Sequence, residues 1–334
     1  MARLLRSPAH PPAPATIREI NCFDANHHLF FASPMDVQLA QLRTLEVIAR
    51  HGSFSRAARE LHLTQPAVSM QVRQLERGLG LPLLERVGKR AFPTRAGEVL
   101  LAHAARAFRE LETGVAHVQQ LRGVVAGRVR LGTSASISVY LLPLALRKFR
   151  ARFPDIDLVV VTGLAPDITR GVVANDLDVG LVSLPVRDRQ LAVTPFYRDR
   201  LVAIAPPERP WRRRGPARAT ELAAAPLILF DQGSTVRRMI DAWFHRARLV
   251  PRPAMELGNT EAMKRFVEAG MGLSITSEFS VKADVAAGRL VARPLDPPVL
   301  RQIGLVRRRD KPLAPPLAAV LQALDDLRRR LARP

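Results

Sequence analysis

Apolar positions from residue 39 onward recur with helical spacing: Leu39, Leu42, Leu45, Val47 and Ile48 share one side of a first helix that stops near His51-Gly52. Ser53 then reads as the N-cap of a short second helix, SFSRAARELH, in which Ala57 and Ala58 are small enough to let another helix approach. Thr64 caps a third helix, and Pro66 falls in its first turn, where a missing N–H costs nothing. Val68, Val72, Leu75 and Leu79 make its apolar face; Pro66, Met70 and Arg73 point the other way.

Two short helices joined by a tight turn, with alanines at the crossing, are the ingredients of a helix-turn-helix. An ordinary helical hairpin with a polar solvent face has the same pattern. The segment after the third helix favours the helix-turn-helix: LPLLERVGKRAFPTRAGE reads as strand, turn and strand, a β-wing carrying Arg86, Lys89 and Arg90 toward phosphates or a minor groove.

From Arg95 the pattern predicts one long helix. Leu101, Ala104, Phe108, Leu111, Val115 and Val118 alternate spacings of three and four, the seam of a coiled coil, so self-association is favoured over packing on the chain's own body. After residue 126 the period changes. VRLGTS, DLVVVTGL, DVGLVSL, LAVTPFYRDRLVAIA, PLILFD, AMELG, GLSIT, LVARPL and IGLVRRR read as strands, alternating with helices LLPLALRKFRARF, PDITRGVVAND, STVRRMIDAWFHRA and TEAMKRFVEAG and closing with APPLAAVLQALDDLRRRLA. Repeated strand–helix units predict two α/β lobes, with ligands at strand C-termini and helix N-termini. Small hydroxyl residues stand at such turns: Thr133, Ser134 and Ser136, then Ser183, then Ser234 and Thr235 after Gly233, then Asn259-Thr260. N-capping explains any one of them; convergence of four turns on one cleft points to an anion site. WRRRG at 211 to 215 reads as an exposed basic loop.

Composition changes this picture little. The chain has 334 residues with 51 Lys plus Arg against 30 Asp plus Glu, a net charge of +21, which fits a polyanionic partner. The excess is mostly arginine spread through an Ala- and Pro-rich background, so an Arg-rich genome composition explains it equally well. Cys22 is the only cysteine, which excludes an internal disulfide or a Cys-based zinc site and fits a reducing, cytoplasmic compartment. No apolar run reaches the ~20 residues of a membrane span. Residues 1–34 lack periodicity and the core of a secretory signal, so Met35 is expected to be the true start, or the leader a disordered arm. No HExxH, nucleophile elbow, P-loop or dinucleotide fingerprint appears, so neither an enzyme nor a cofactor or metal is expected.

The stretch from residue 36 to 97, with GSFSRAARELHLTQPAVSMQVRQLERGLGLPLLERVGKRAFPTRAG at its centre, resembles the winged helix-turn-helix of the LysR-type transcriptional regulators. The resemblance implies an all-α winged helix-turn-helix over 35–93, a linker dimerisation helix over 94–122, and an α/β, two-lobed, periplasmic-binding-protein-like (type 2) effector domain over 127–334. Its lobes would be 127–192 with 300–334, and 193–299. DNA contacts are implied at Ser53, Arg56, Gln65, Pro66, Ser69, Met70, Arg73, Arg86, Lys89 and Arg90. Met70 departs from the arginine common there and offers only apolar contact. An effector pocket is implied at Ser134, Ser136, Ser183, Ser234, Thr235, Asn259 and Thr260, and dimerisation at Leu101, Phe108, Leu111, Val115 and Val118. The partners so implied are an inverted-repeat promoter duplex, a small anionic co-inducer, further copies in a dimer or tetramer, and RNA polymerase. LHLTQPAVSMQVRQLE and ELGNTEAMKRFVEAG look most like the subgroup controlling carbon-fixation operons and related sulfur or nitrogen genes. The alternative is a two-lobed solute-binding or enzymatic protein without DNA function.

Overall fold

The computed structural model describes residues 37–88, 90–121, 125–207, 211 and 215–332. The expectations for the leader and for Lys89, and the three arginines of WRRRG, lie outside these residues. The chain divides into two units, one ending at Glu98 and the other running Val99–Pro334.

In the first unit, α1 (Leu39–His51), α2 (Phe54–Glu60) and α3 (Gln65–Leu79) pack around Val47, Ile48, Ala57, Ala58, Val68 and Val72. The expected caps form: the Ser53 hydroxyl accepts from the Arg56 amide and the Thr64 hydroxyl from the Ala67 amide, each satisfying a helix-start donor. Gly52 ends α1 at φ 62°, a left-handed turn that favours glycine. The wing is β1 (Leu84–Val87) against β2 (Arg90–Pro93), antiparallel, with Val87 opposite Arg90. It is tied to α3 through Glu76, whose carboxylate accepts from the Leu83 and Leu84 amides. Gly97 sits where an added Cβ would come 2.0 Å from the Leu83 carbonyl oxygen, so only glycine lets the next helix, α4 (Arg95–Gln120), start there.

In the second unit the sheet begins with β3 (Gly127–Thr133), β4 (Ile156–Thr162) and β5 (Val179–Ser183), linked through α5 (Ala135–Tyr140), α6 (Leu142–Arg152) and α7 (Ala165–Val173). A long strand, β6 (Leu191–Ala205), leads to β7 (Ala217–Arg218), α8 (Ala219–Ala223), β8 (Leu227–Phe230), α9 (Thr235–Arg246), β9 (Pro253–Leu257), α10 (Thr260–Glu268), β10 (Leu273–Ser277) and α11 (Glu278–Ala286). A second long strand, β11 (Val291–Arg308), returns the chain to α12 (Pro315–Leu331). The sheet order is β4-β3-β5-β11-β6-β10-β8-β9, with β7 beside β11.

The antiparallel pair β6 and β11 runs through both halves of this sheet, joining two cores. One is built around Leu201, Ile228, Trp243, Phe244, Met263 and Ile275; the other around Leu131, Ile137, Phe149, Leu181, Ile303 and Leu324. LVARPL and IGLVRRR, read as separate strands, are one strand whose register shifts between Pro294 and Val299 absorb the intervening prolines. Helices α5, α8 and α11 have no counterpart among the helices expected from the sequence; α8 spans only five residues. α5 is too short to show a period, and α11 has no polar–apolar contrast around its circumference. Trp211 corrects the reading of WRRRG as simply exposed: it packs on the first of these cores, with the Arg293 guanidinium 5.7 Å from its ring.

Candidate functional site

The N-terminal half of α3 presents Gln65, Pro66, Met70 and Arg73 to solvent, while Val68 and Val72 enter the core. Met70 is 55% exposed, an apolar side chain held on a polar face. Ser69 is corrected: it is buried, and its hydroxyl accepts the Gln65 side-chain amide at 3.0 Å, because its position borders the core face of α3 and the Gln65 side chain folds one turn along the helix. Ser69 therefore orients Gln65 from the inner side of the helix. Arg56 is exposed on α2, whereas Ser53 is half-buried and engaged as a cap. Arg86 and Arg90 are exposed on the wing, and the Arg86 guanidinium lies 4.9 Å from the centre of the Phe54 ring, which steadies the wing beside α2. A groove of about 250 Å³ between helices and wing is lined by Phe54, Ser69, Arg73, Glu76, Leu84 and Arg86. The surface thus combines amide, guanidinium and apolar groups on one convex helix end, the chemistry that meets base edges and phosphates in a major groove.

The expected seam on α4 divides in two. Ala104 and Ala116 are buried and Leu101 and Phe108 half-buried, because this helix also lies on its own body: Arg109 pairs with Asp176 at 2.7 Å and Glu112 with Arg130 at 3.3 Å. Leu111, Val115 and Val118, further along the same seam, remain 49%, 57% and 62% exposed. The apolar face is therefore shared between intrachain packing and a free stripe.

In the second unit, a cavity of about 270 Å³ opens at the C-terminal ends of the strands. Ser134, Ser136, Ser183, Ser234, Thr235 and Thr260 line it, gathered from turns 126 residues apart in sequence between first and last. Asn259 is corrected: its side chain turns back to cap α10, accepting from the Glu261 and Ala262 amides, and it does not line the cavity. Thr133 is likewise spent within the fold, donating to the Leu181 carbonyl.

The polar side chains in the lining that the sequence does not single out are Thr162 at the end of β4, Asp231 after β8, and Arg301 on β11. Next to Asp231 in the chain, the Phe230 carbonyl accepts from the buried Arg237 guanidinium, which also donates to Glu256, both at 2.7 Å. Arg301 stands opposite Asp199 across β6 and β11, Nη2 to Oδ2 3.0 Å. Burial pushes the Arg301 guanidinium down and the Asp199 carboxyl up, each opposed by its partner's charge. Nε and Nη2 of Arg301 and both Asp199 oxygens are buried without a well-directed hydrogen bond. Neither residue sits in a hydroxyl-rich or glycine-rich turn, so no local signal marked them. Among the described residues no cluster of His, Cys, Asp and Glu could hold a metal ion, and no helix is long and apolar enough to cross a membrane.

Family comparisons agree with both halves of this geometry. Residues 39–98 match the bacterial regulatory helix-turn-helix of the lysR family, and residues 122–329 match the LysR substrate binding domain. The chain belongs to the LysR family. It is a LysR-type DNA-binding transcriptional regulator with an effector-binding domain. Curated relatives of this LysR regulator include the RuBisCO operon transcriptional regulator of Allochromatium vinosum, 34% identical over 85% of this chain and 94% of that protein. Another is the CbbR regulator of Xanthobacter flavus, 35% identical over 86% of this chain and 87% of that protein. These agree with the likeness to the carbon-fixation subgroup. Solved LysR-type structures share the fold: CbnR complexed with its target DNA has a TM-score of 0.67 at 22% identity, covering 87% of this chain and all of that one. Full-length OxyR from Pseudomonas aeruginosa has a TM-score of 0.64 at 21% identity, covering 88% of this chain and 95% of that one.

Proposed function

We propose that this LysR regulator binds an inverted-repeat promoter site through α3 and the wing and that a small anionic metabolite in the effector cavity modulates the binding. The observation that carries the proposal is the coexistence, in one chain, of an exposed mixed helix end and a hydroxyl-lined cavity at converging helix N-termini. Residues 35–93 act as the reading domain and 94–122 as the dimerisation helix. One effector lobe comprises 127–192 with 300–334, and the other 193–299. Gln65 pairs with a base, Pro66 and Met70 meet thymine methyls, and Arg56, Arg73, Arg86, Lys89 and Arg90 take phosphates or the minor groove.

The exposed stripe Leu111, Val115 and Val118 pairs two chains, which sets two reading helices on one face of the duplex. Two such pairs make a tetramer, with RNA polymerase as a further partner. Ligand closing the cleft changes the angle between the pairs, and so DNA bending; this requires the ligand to prefer one assembly over the other. By likeness to its relatives, the operon controlled is one for carbon fixation.

The test is binding of the purified chain to the intergenic DNA beside its own gene, footprinted at several salt concentrations. A salt-sensitive protected inverted repeat supports the proposal. Turnover of a small molecule without DNA binding would replace it with the enzymatic alternative, and a footprint indifferent to every ligand that occupies the cavity removes the effector role.

A further inference from the structure

The cavity has an uneven charge layout. Serine and threonine hydroxyls make up most of its polar lining, but one cation and one anion also face it, Arg301 and Asp231. Arg301 lies on β11 and Asp231 follows β8, three strands away in the sheet order. At ~4.8 Å per strand the backbones are about 14 Å apart, less once the side chains reach inward. The two charges therefore mark different ends of the cavity.

Arg301 is only 2% exposed, yet Nε and Nη2 have no well-directed hydrogen bond even with Asp199 Oδ2 at 3.0 Å from Nη2. A buried guanidinium carries five donors, and leaving donors unmet in the interior is costly. Its ring contact with Phe279, 5.5 Å to the centre, holds the guanidinium plane in place without meeting those donors. The guanidinium also lines the cavity, so a carboxylate or phosphate arriving there competes with Asp199 for its donors. At the far end, the Asp231 carboxylate accepts hydrogen bonds and repels a second negative charge.

We propose that Arg301 reads the ligand's charge and Asp231 its polarity, so that the cavity takes a molecule with a single anionic head, carboxylate or phosphate, and a hydroxyl or amino donor at the other end. Arg301 pairs with the head, while Asp199 keeps the guanidinium in place when the cavity is empty. The inference rests on the cavity being a ligand site. It excludes ligands with an anionic group at both ends and no donor.

The test uses the full chain without DNA, measuring calorimetric binding and thermal stabilisation by four probes at millimolar concentration: glycerate, glycerol 3-phosphate, succinate and glycerol. Glycerate or glycerol 3-phosphate binds, and the tighter of the two identifies the head as carboxylate or phosphate; succinate and glycerol give no signal. Arg301→Lys weakens the binding probe about tenfold or more, through loss of a charge-assisted fork. The double variant Arg301→Met/Asp199→Asn, which leaves no orphan charge, abolishes it with the fold intact. Asp231→Asn lets succinate bind. Binding of none of the four, succinate binding the native chain as tightly as glycerate, or probe affinity unchanged in both Arg301 variants overturns the inference. Because no DNA is present, these outcomes are separate from any failure of promoter binding.

Discussion

Gln65 donates its side-chain amide to the Ser69 hydroxyl one turn further along α3, at 3.0 Å. Gln65 is exposed and Ser69 buried, so a core-side hydroxyl preorganises the group that would meet a base. Removing Ser69 frees the amide without removing it. Ser69→Ala is expected to leave the fold intact and to lower discrimination at one base step of each half-site by about 1 kcal/mol, the scale of one hydrogen bond. Quantitative binding to a set of single-base operator variants reads this; equal discrimination in native and variant chains would return Gln65 to an unguided side chain.

Met70 offers the opposite experiment, since it lacks any polar group and is more than half exposed. Met70→Arg should move preference toward guanine in the contacted half-site, by ~1–3 kcal/mol if the contact is bidentate. Met70→Leu should change little. Selection of operators from a randomised pool distinguishes them, and a pool unshifted by the arginine takes Met70 off the reading surface.

The exposed stripe on α4 separates assembly from folding. Val115→Glu with Val118→Glu places charge where two chains would meet, while Arg109–Asp176 and Glu112–Arg130 still seat the helix on its own body. Light scattering should show the mass falling to one chain, with circular dichroism and thermal midpoint nearly unchanged. An unchanged oligomer would move the interface elsewhere.

A buried ionic knot in the effector unit supplies a pH dependence. The Asp284 carboxylate accepts from Lys264 at 2.7 Å and from Arg289 at 2.6 Å. Burial pushes its pKa up, but these hydrogen bonds and charges outweigh burial and hold it below the ordinary carboxylate range. A depressed pKa in the folded state means stability that is present above the unfolded value of ~3.9 and lost as pH falls through the folded one. Asp284→Asn should therefore cost about 2 kcal/mol at neutral pH, less than a wholly orphaned buried charge, since Lys264 keeps Glu261 and the Ser280 carbonyl. The difference from the native chain should shrink as the pH drops below about 4. Urea titrations across that range measure it, and a pH-independent difference would assign the loss to packing.

Much of the molecule was legible along the chain because its determinants are local. Thr64, Pro66 and the Val68–Val72 spacing specify α3 through capping, a fixed φ and a period, all properties of neighbours in sequence. The strand–helix alternation after residue 126 and the hydroxyl turns at Ser134, Ser183, Ser234 and Thr260 are local in the same sense. The tertiary structure decided what depends on distant residues. It merged two short apolar runs into β11, divided the α4 seam between the chain's own body and solvent, buried Ser69 and committed Asn259 to its helix. Above all it brought Arg301 and Asp231 to one cavity. A charge's role there is set by burial and by partners tens of residues away, and neither has a periodicity that a single strand of sequence can carry.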